Sequence, residues 1–314
     1  MRFIRFFLAT AAFSAVYIQA TAQDTTKATD SAAALMNQLE TQKAGNNTHY
    51  TTATFKYTRI IDGQSVENLP AHVLDFRILH RFGPLNSGLY NFFGLDYSPF
   101  NVKIGFDYGI TNNFMVGITH SAYDKIYDAF FKLRVLRQAT GAVNSPVSVS
   151  FVPTFALNTL DPNQIDPSVK PDSTTAIKRA SYVLQLLIAR KFSEGFALQV
   201  MPSFAHADNI SFFHTKPDVF AIGIAGRQKL SRMIDVNAEY YYQLPGMKAP
   251  GAHNPLSFGI DIGTGGHVFE LLISNSMGLT EKSFITETNG RWDNAGALFG
   301  FNISRVFQLG KKHR

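Results

Sequence analysis

The sequence predicts an all-β fold: a transmembrane antiparallel up-and-down β-barrel of about twelve strands, with short periplasmic turns and long external loops. Apolar side chains alternate with polar or small ones in segments of roughly 9–11 residues, the length that a tilted strand needs to cross a membrane. The connections between these segments alternate between short and long. Only 17% of the 314 residues are charged, against about 25% in soluble domains.

The strongest pattern lies within Asn101–Ser121. Apolar side chains occupy every second position of its first half, and the positions between them are polar or glycine: Val102, Ile104, Phe106, Tyr108 and Ile110. A turn signal, Thr-Asn-Asn, follows, and the alternation resumes at Phe114. This stretch therefore predicts a hairpin of two strands, each with one apolar face.

The same alternation continues through the chain. It predicts further strands at His72–Phe82, Tyr127–Leu136, Val147–Asn158, Ala180–Phe192, Phe196–His206, Val219–Leu230, Ile234–Leu244, Leu256–Ile262, His267–Ser274 and Ala297–Leu309. With the hairpin they make about twelve strands, an even number, so both ends of the barrel lie on the short-turn side. A fourteen-stranded barrel, which recruits Thr52–Ile61 and Phe284–Thr286, is the alternative.

The lengths of the connections separate the two ends of the predicted barrel. Short turns lie near residues 111, 141, 194, 232 and 264, and long loops lie near residues 84–100, 120–126, 159–178, 207–218, 245–254 and 275–294. Bacterial outer-membrane barrels have short periplasmic turns and longer external loops. A soluble β-sandwich gives no reason for this sorting, so the alternation favours a membrane barrel.

The chain divides into five regions. Met1–Ala22 has a positively charged start, an apolar core and a small-x-small cleavage site, which predict a secretory signal peptide. Residues 23–50 are polar and predict a flexible periplasmic segment. Residues 51–71 form a strand-like segment that we expect outside the barrel wall, either periplasmic or lying in the lumen. The barrel spans residues 72–309, and residues 310–314 predict a solvated basic tail.

The charged face of each strand must look into the barrel, because a charge that faces lipid costs roughly 2–4 kcal/mol at the bilayer midplane. We expect the following residues to line the lumen: Asp75, Arg77, Arg81, Lys103, Asp107, Lys132, Arg134, Lys191, Arg227, Asp235, Glu239, Asp261 and Glu270. Their signs are nearly balanced. They either neutralise one another in a polar interior or form a selectivity lining for a solute.

The sequence predicts no catalytic, cofactor-binding or metal-binding residues. The absence of cysteine excludes disulfides, thiolate metal sites and cysteine nucleophiles. His120 and Ser121 are adjacent, but neighbouring residues of a strand point to opposite faces and cannot pair directly. Asp107 and Asp261 could mimic the acidic pair of a barrel protease, although a structural role among the other inward charges is favoured.

Several segments resemble one known family when they are taken in order. They include HVLDFRILHRFG at 72–83, GFDYGITNNFMVGI at 105–118, LLIARKFSEGFALQVMPSF at 186–204, IDIGTGGHVFELLISNS at 260–276 and FGFNISRVF at 299–307. Together they resemble a bacteroidete family of outer-membrane β-barrels of unknown function, over about residues 50–309. The resemblance implies an outer-membrane barrel and brings no substrate or catalytic residue.

These observations predict a non-enzymatic outer-membrane barrel that passes or binds a small solute. Two alternatives stay open: a membrane-embedded hydrolase acting on lipid or peptide, and a structural or partner-docking barrel. The expected location is the bacterial outer membrane, reached through the N-terminal signal peptide. The expected partners are outer-membrane lipid, the barrel-insertion machinery and a small solute. No cofactor is predicted. The net charge of +6 is scattered along the chain and predicts no nucleic acid partner.

Overall fold

The computed structural model of the chain describes residues 48–97, 101–123, 125–159, 179–206 and 218–310. The described ranges contain fourteen strands, of which twelve are antiparallel neighbours that close into one barrel. This closed barrel confirms the predicted fold class. In chain order the strands are β1 (Thr48–Tyr50), β2 (Val73–Pro84), β3 (Asn101–Thr111), β4 (Phe114–Ser121), β5 (Ile126–Leu136), β6 (Ala139–Gly141), β7 (Ser148–Asn158), β8 (Ala180–Lys191), β9 (Phe196–His206), β10 (Asp218–Lys229), β11 (Ile234–Gln243), β12 (Leu256–Thr264), β13 (His267–Ser274) and β14 (Leu298–Gln308).

The barrel closes where its last strand meets its first. β14 pairs with β2, with Gln308 opposite Val73 at one end of the seam. The other barrel strands pair with their neighbours in sequence, except that β5 pairs with β7 because β6 lies outside the barrel. β6 instead pairs with β1 and forms a separate two-stranded ribbon.

Burial alternates along the barrel strands as the sequence predicts. In β2 every second residue from Val73 onwards is buried. The outward positions carry large apolar side chains such as Ile104 and Leu271, which are 44% and 59% exposed. An apolar outer face suits lipid, and the closed hydrogen-bonded wall leaves no unpaired strand edge within the membrane.

Most connections follow the predicted order of short and long. At the short-turn end, two to four residues join β3 to β4, β8 to β9, β10 to β11 and β12 to β13. Residues 137–147 at this end form a longer connection, because β6 lies within it and pairs with β1. At the long-loop end, β4 ends at Ser121 and β5 begins at Ile126, so only four residues join them. Ala122 N donates to Val102 O at 2.8 Å. The expected strict alternation is therefore wrong at these two connections.

Residues 51–71, here called the plug, occupy the lumen. The expectation of a strand at Thr52–Ile61 is wrong, because this stretch joins no sheet. The plug instead folds into an irregular hairpin, in which Ile60 N donates to Gly63 O and Ser65 N donates to Thr58 O, both at 2.9 Å. Main-chain groups of the plug bond to side chains of the wall, so the period-two pattern here does not reflect strand pairing.

The fourteen-stranded alternative is also wrong. Phe284–Thr286 belongs to a short helix, α1 (Glu281–Thr286), which lies in the connection between β13 and β14. All six residues of α1 are buried. None of the helices in the described ranges is long and apolar enough to cross a membrane.

The hydrophobic core lies inside the barrel and is shared by three parts of the chain. The plug contributes five apolar side chains, α1 contributes two, and the wall contributes the rest: Phe55, Ile60, Ile61, Val66 and Leu69; Phe284 and Ile285; and Met115, Phe130, Val183, Leu187, Met201 and Tyr241 among others. The predicted signal peptide, residues 23–47 and the predicted tail from residue 311 onwards lie outside the described residues.

Candidate functional site

The plug is bound by basic side chains on one side of the lumen. Lys132 Nζ donates to three of its carbonyl oxygens, those of Thr58 and Ser65 at 2.9 Å and that of Glu67 at 3.0 Å. Lys132 is fully buried, and these three bonds replace the water that its ammonium group would otherwise bind. One charged side chain on β5 therefore fixes both arms of the plug hairpin.

Two more cations of the wall repeat this pattern nearer the short-turn end. Arg227 Nη1 donates to the carbonyl oxygens of Ala53 at 2.9 Å and Thr54 at 3.2 Å. Lys191 Nζ donates to the carbonyl oxygen of Thr52 at 3.0 Å. These cations thus bind main-chain oxygens of the plug, and such bonds do not depend on the identity of the plug side chains.

A carboxylate of β11 also binds the main chain of the plug. Glu239 accepts hydrogen bonds from Ile61 N at 3.1 Å and from Gly63 N at 2.8 Å. Gly63 is required at this turn, because a Cβ there would lie 2.8 Å from Glu239 Oε1 and would collide with the Tyr241 hydroxyl. The carboxylate and the ring together leave room for main chain alone.

The tip of the plug bonds to both strands of the barrel seam. Asp62 forms an ion pair with Arg81 of β2 at 2.5 Å. Asn302 of β14 donates from Nδ2 to Ile61 O at 3.0 Å and accepts from Arg81 Nη1 at 2.9 Å. The tip therefore connects the first and last barrel strands to each other.

Helix α1 meets the plug from the long-loop end. Thr280 caps the helix by accepting a hydrogen bond from Ser283 N at 3.2 Å. Arg59 of the plug donates to Glu281 Oε1 at 2.9 Å, and Lys103 Nζ lies 3.8 Å from the other carboxylate oxygen. Burial by itself would raise the pKa of Glu281, but Arg59 and Lys103 outweigh it and hold the pKa at about 2.

The thirteen predicted lumen residues all lie on the inner side of the wall. Eleven are buried, and Arg134 and Lys191 at the short-turn end are half-buried. Some pair within the wall, as Arg77 does with Asp75 at 2.5 Å, and others pair with the plug, as Arg134 does with Glu67 at 3.3 Å. Their lining of a solute pathway stays a prediction.

Along part of the wall, inward charges of opposite sign are grouped on different strands. On β11, β12 and β13 the inward charges are all acidic, and we call them the acidic arc: Asp235, Glu239, Asp261 and Glu270. From β5 to β10 the inward charges are mainly basic, and we call them the basic arc: Lys132, Arg134, Lys191 and Arg227. Asp128, also on β5, pairs with Lys103 at 3.0 Å. Within these two arcs the charges are therefore separated by sign, whereas β2 and β3 carry inward charges of both signs, such as Arg77 and Asp75.

Sequence reasoning missed several charged residues of the lumen. Asp128 shares the inward face of β5 with Lys132, so the period-two rule that found Lys132 could have found it. The others lie on the plug and the long loop, which the pattern did not assign to the wall: Lys56, Arg59, Asp62, Glu67 and Glu281. Burial lowers the pKa of Lys56, although the nearby Asp235 and Asp261 oppose this shift.

The candidate catalytic residues do not converge. Ser121 Oγ lies 3.4 Å from Asn101 Oδ1, whereas the His120 ring stacks on Tyr127 with 4.2 Å between ring centroids. Asp107 lies opposite Asp75 on the β2–β3 side of the barrel, away from Asp261 on β12. Across the described ranges, no three acidic or histidine side chains are placed to hold a metal ion.

The described residues line cavities beside the plug and beside the long loops. One of about 30 Å³ lies between the plug and the wall, lined by Tyr57, Asp261 and Glu270 among others. A larger one of about 290 Å³ lies at the long-loop mouth beside Tyr97 and Asn275. The plug and α1 occupy most of the lumen between them.

These features define a class of protein: a twelve-stranded membrane β-barrel whose lumen is occupied by a segment of its own chain. Residues 55–307 match the family described as membrane bound beta barrel domain (DUF5777), and the chain belongs to that family. Because the match begins at residue 55, the family domain includes most of the plug as well as the wall. The bacteroidete origin suggested by the sequence stays a prediction.

Several solved structures are similar to the chain. The COG4313 outer membrane channel from Pseudomonas putida F1 is 10% identical, with 77% of this chain and 98% of that chain covered and a TM-score of 0.45. The NanC porin is 7% identical, with 76% and 100% covered and a TM-score of 0.44. Outer membrane phospholipase A from Escherichia coli is 9% identical, with 76% and 90% covered and a TM-score of 0.39.

These structures include channels and an enzyme, and similarity at such TM-scores does not indicate the function of this chain. No protein of curated function matches the sequence. A proposal about function therefore rests on the lumen itself.

Proposed function

We propose that the protein is a non-enzymatic barrel of the bacterial outer membrane that passes or binds a small solute, and that the plug closes it at rest. The observation that carries this proposal is the polar wall behind the plug. Lys132, Arg227 and Glu239 bind plug main-chain groups through bonds that water can replace. A lumen lined in this way can fill with water when the plug leaves.

The path of the plug supports its withdrawal. Thr51 N donates to Gln138 O at 2.8 Å, and His72 N donates to Gly109 O at 2.8 Å, so both ends of the plug lie at the short-turn end. A hairpin whose ends share one side can leave by that side without threading through the barrel. Short turns face the periplasm in bacterial outer-membrane barrels, so in the proposed orientation this end is periplasmic.

Apolar contacts oppose withdrawal. The plug buries five large apolar side chains, each contributing about 1.5–3 kcal/mol to burial. We therefore expect spontaneous opening to be rare and openings to become frequent when a polar anchor is removed. The substitution Lys132→Met leaves three plug carbonyl groups without their donor and weakens the closed state directly.

Single-channel conductance of the full chain in planar lipid bilayers tests the proposal. We expect the wild type to be silent for most of the time, and Lys132→Met to open in stable steps. Lys125→Met makes the same chemical change on an exposed turn and should behave as the wild type. Heat-modifiable migration in electrophoresis checks that each barrel is folded.

A chemical label reports the plug independently of conductance, because the chain has no native cysteine. Ser65→Cys places a thiol on the buried plug, and Ser231→Cys places one on an exposed short turn. In Lys132→Met, a charged thiol reagent should label Cys at position 65 faster than in the wild type, with no change at position 231. A folded Lys132→Met barrel that labels quickly and stays electrically silent would contradict the proposed function.

A further inference from the structure

We propose that the acidic arc contains a binding site for primary amines, formed by Asp235, Asp261 and Glu270 with the Met233 carbonyl oxygen, and that Lys56 of the plug occupies it in the closed state. The proposal deepens the proposed function and rests on it, because it names small organic amines as the solute class. The site opens toward the short-turn end of the barrel.

The register of the sheet brings three carboxylates into one row. Asp235 lies directly opposite Asp261, and Asp261 lies directly opposite Glu270. Like charges at directly opposed positions repel one another. β11, β12 and β13 contain no lysine or arginine, so a balancing cation must come from elsewhere. Arg227 of β10 pairs with Asp235 at 3.1 Å and serves one end of the row.

Lys56 supplies an ammonium group at that same end. Its Nζ donates to Met233 O at 2.5 Å and lies 3.7 Å from Asp235 Oδ2. Gly263 of β12 provides the space, because a Cβ there would lie 2.6 Å from Lys56 Cε and 3.0 Å from Nζ. The wall is therefore shaped to admit an alkylammonium chain beside the acidic row.

The Glu270 end of the row has an unused acceptor. Glu270 is buried, and its Oε1 has no hydrogen-bond partner among the described residues. Glu270 and Asp261 also line the cavity of about 30 Å³, which has room for one or two water-sized groups. A buried carboxylate oxygen without a donor, next to a cavity, is placed to accept a hydrogen bond from a ligand.

The chemistry of the row favours an amine over a metal ion. Throughout the described ranges, no three acidic or histidine groups converge closely enough to hold a metal. An ammonium group donates three hydrogen bonds, and its acceptors, which can include a carbonyl oxygen, can lie farther apart than the ligands of a metal ion. A linear diamine can place one ammonium group at Asp235 and the other near Glu270.

A free diamine competes with Lys56 for this site. Burial lowers the pKa of Lys56, so the tethered ammonium is itself an imperfect occupant. A ligand that binds only when Lys56 leaves shifts the plug toward release. The site therefore links solute recognition to opening of the barrel.

Isothermal titration calorimetry of the full chain in lipid nanodiscs, with 1,4-diaminobutane as the probe, tests the site. We expect Lys56→Met to bind about tenfold more tightly than the wild type because the tethered competitor is gone. The double variant Lys56→Met, Glu270→Gln should bind at least about tenfold more weakly than Lys56→Met. Lys248→Met, on an exposed loop, should leave the affinity unchanged. Uncharged 1,4-butanediol should not bind.

A second measurement keeps the wild-type lumen intact. 1,4-Diaminobutane should accelerate thiol labelling of the Ser65→Cys protein and should not affect Ser231→Cys. Equal affinities of the wild type and Lys56→Met, or of Lys56→Met with and without Glu270→Gln, would overturn the amine site. Conducting Lys132→Met barrels that bind no diamine would refute the site alone. Diamine binding by barrels that never conduct would refute passage of solute through a lumen closed by the plug and would leave the amine site standing.

Discussion

The plug and helix α1 fill the same lumen from opposite ends and are held in different ways. Many main-chain groups of the plug form hydrogen bonds with side chains of the wall, such as Lys132 and Glu239. Helix α1 satisfies part of its main chain internally, and it packs Phe284 and Ile285 into the core. The wall contributes one bond to its far end, from Gln243 Nε2 to Ile285 O at 2.7 Å.

Their attachments to the barrel differ as well. Both ends of the loop that carries α1 are fixed to barrel strands, β13 and β14, whereas only the C-terminal end of the plug continues into the wall, at β2. We therefore expect α1 to stay at the long-loop mouth, whereas the plug, in the proposed open state, leaves the lumen through the short-turn end. The two elements meet at Arg59 and Glu281, so variants of this ion pair test whether the plug and α1 are held independently.

Arg59→Met should have the largest effect. It removes one partner of a buried ion pair and leaves Glu281 with Lys103 at 3.8 Å, which we expect to cost about 3–5 kcal/mol. Urea unfolding in lipid vesicles, followed by fluorescence of the single tryptophan Trp292, which packs edge-on against Phe258 of β12, measures the loss. Arg232→Met on an exposed turn is the control. Equal losses for the two variants would show that plug and α1 are held independently.

Acid should weaken α1 through the same carboxylate. The pKa of Glu281 is about 2 in the folded protein and 4.5 as the ordinary value. Because the folded pKa is depressed, its stabilising contribution is complete above about pH 4.5 and is lost as the pH falls through about 2. Trp292 fluorescence should therefore change across this range in the wild type. In Glu281→Gln that titration should be absent; an unchanged acid response would assign the effect to other groups.

Gly109→Ala should release the plug without changing any charge. A Cβ at this position would lie 2.8 Å from Leu69 O and would collide with Pro70 O, both of which are main-chain atoms. We expect a destabilisation of about 1–3 kcal/mol and faster thiol labelling of the Ser65→Cys protein. Gly226→Ala, whose Cβ would meet Leu198 Cδ2 at 3.2 Å, is the matched control on β10. Labelling at the wild-type rate would mean that this end of the plug does not hold the rest in place.

Asp293→Asn should have no measurable effect. Its ion pair with Arg291 is exposed at the rim, where solvent screens it. The unfolding midpoint and the labelling rate at position 65 should both match the wild type. A clear shift in either would extend the coupled network from the lumen to the rim.

The barrel wall could be predicted because lipid and lumen impose opposite demands on alternate residues. Phe106 and Asp107, neighbours on β3, show this difference: one is 48% exposed to the outside and the other is buried inside. The plug could not be predicted in the same way. Thr52–Ile61 alternates like a strand, but no neighbouring strand pairs with it. The sequence does not show whether its main-chain groups bond to the main chain of another strand or to side chains of the wall.

The acidic and basic arcs were also beyond the sequence. The signs of the inward charges could be counted, but their separation depends on which strands are neighbours and on their register. Asp235 and Glu270 are 35 positions apart and become near neighbours only because β12 lies between their strands. The longer connection between β5 and β7 likewise depends on a distant segment, because β6 within it pairs with β1.

The bonds at the plug tip have a consequence for assembly. β2 and β14 are the first and last barrel strands to be synthesised, and their pairing completes the wall. The tip contacts both, through Arg81 and Asn302, and it precedes both in the chain. The plug, which precedes every barrel strand in the chain, therefore bridges the seam where the last barrel strand pairs with the first. Barrels assembled without it must close that seam on strand pairing alone.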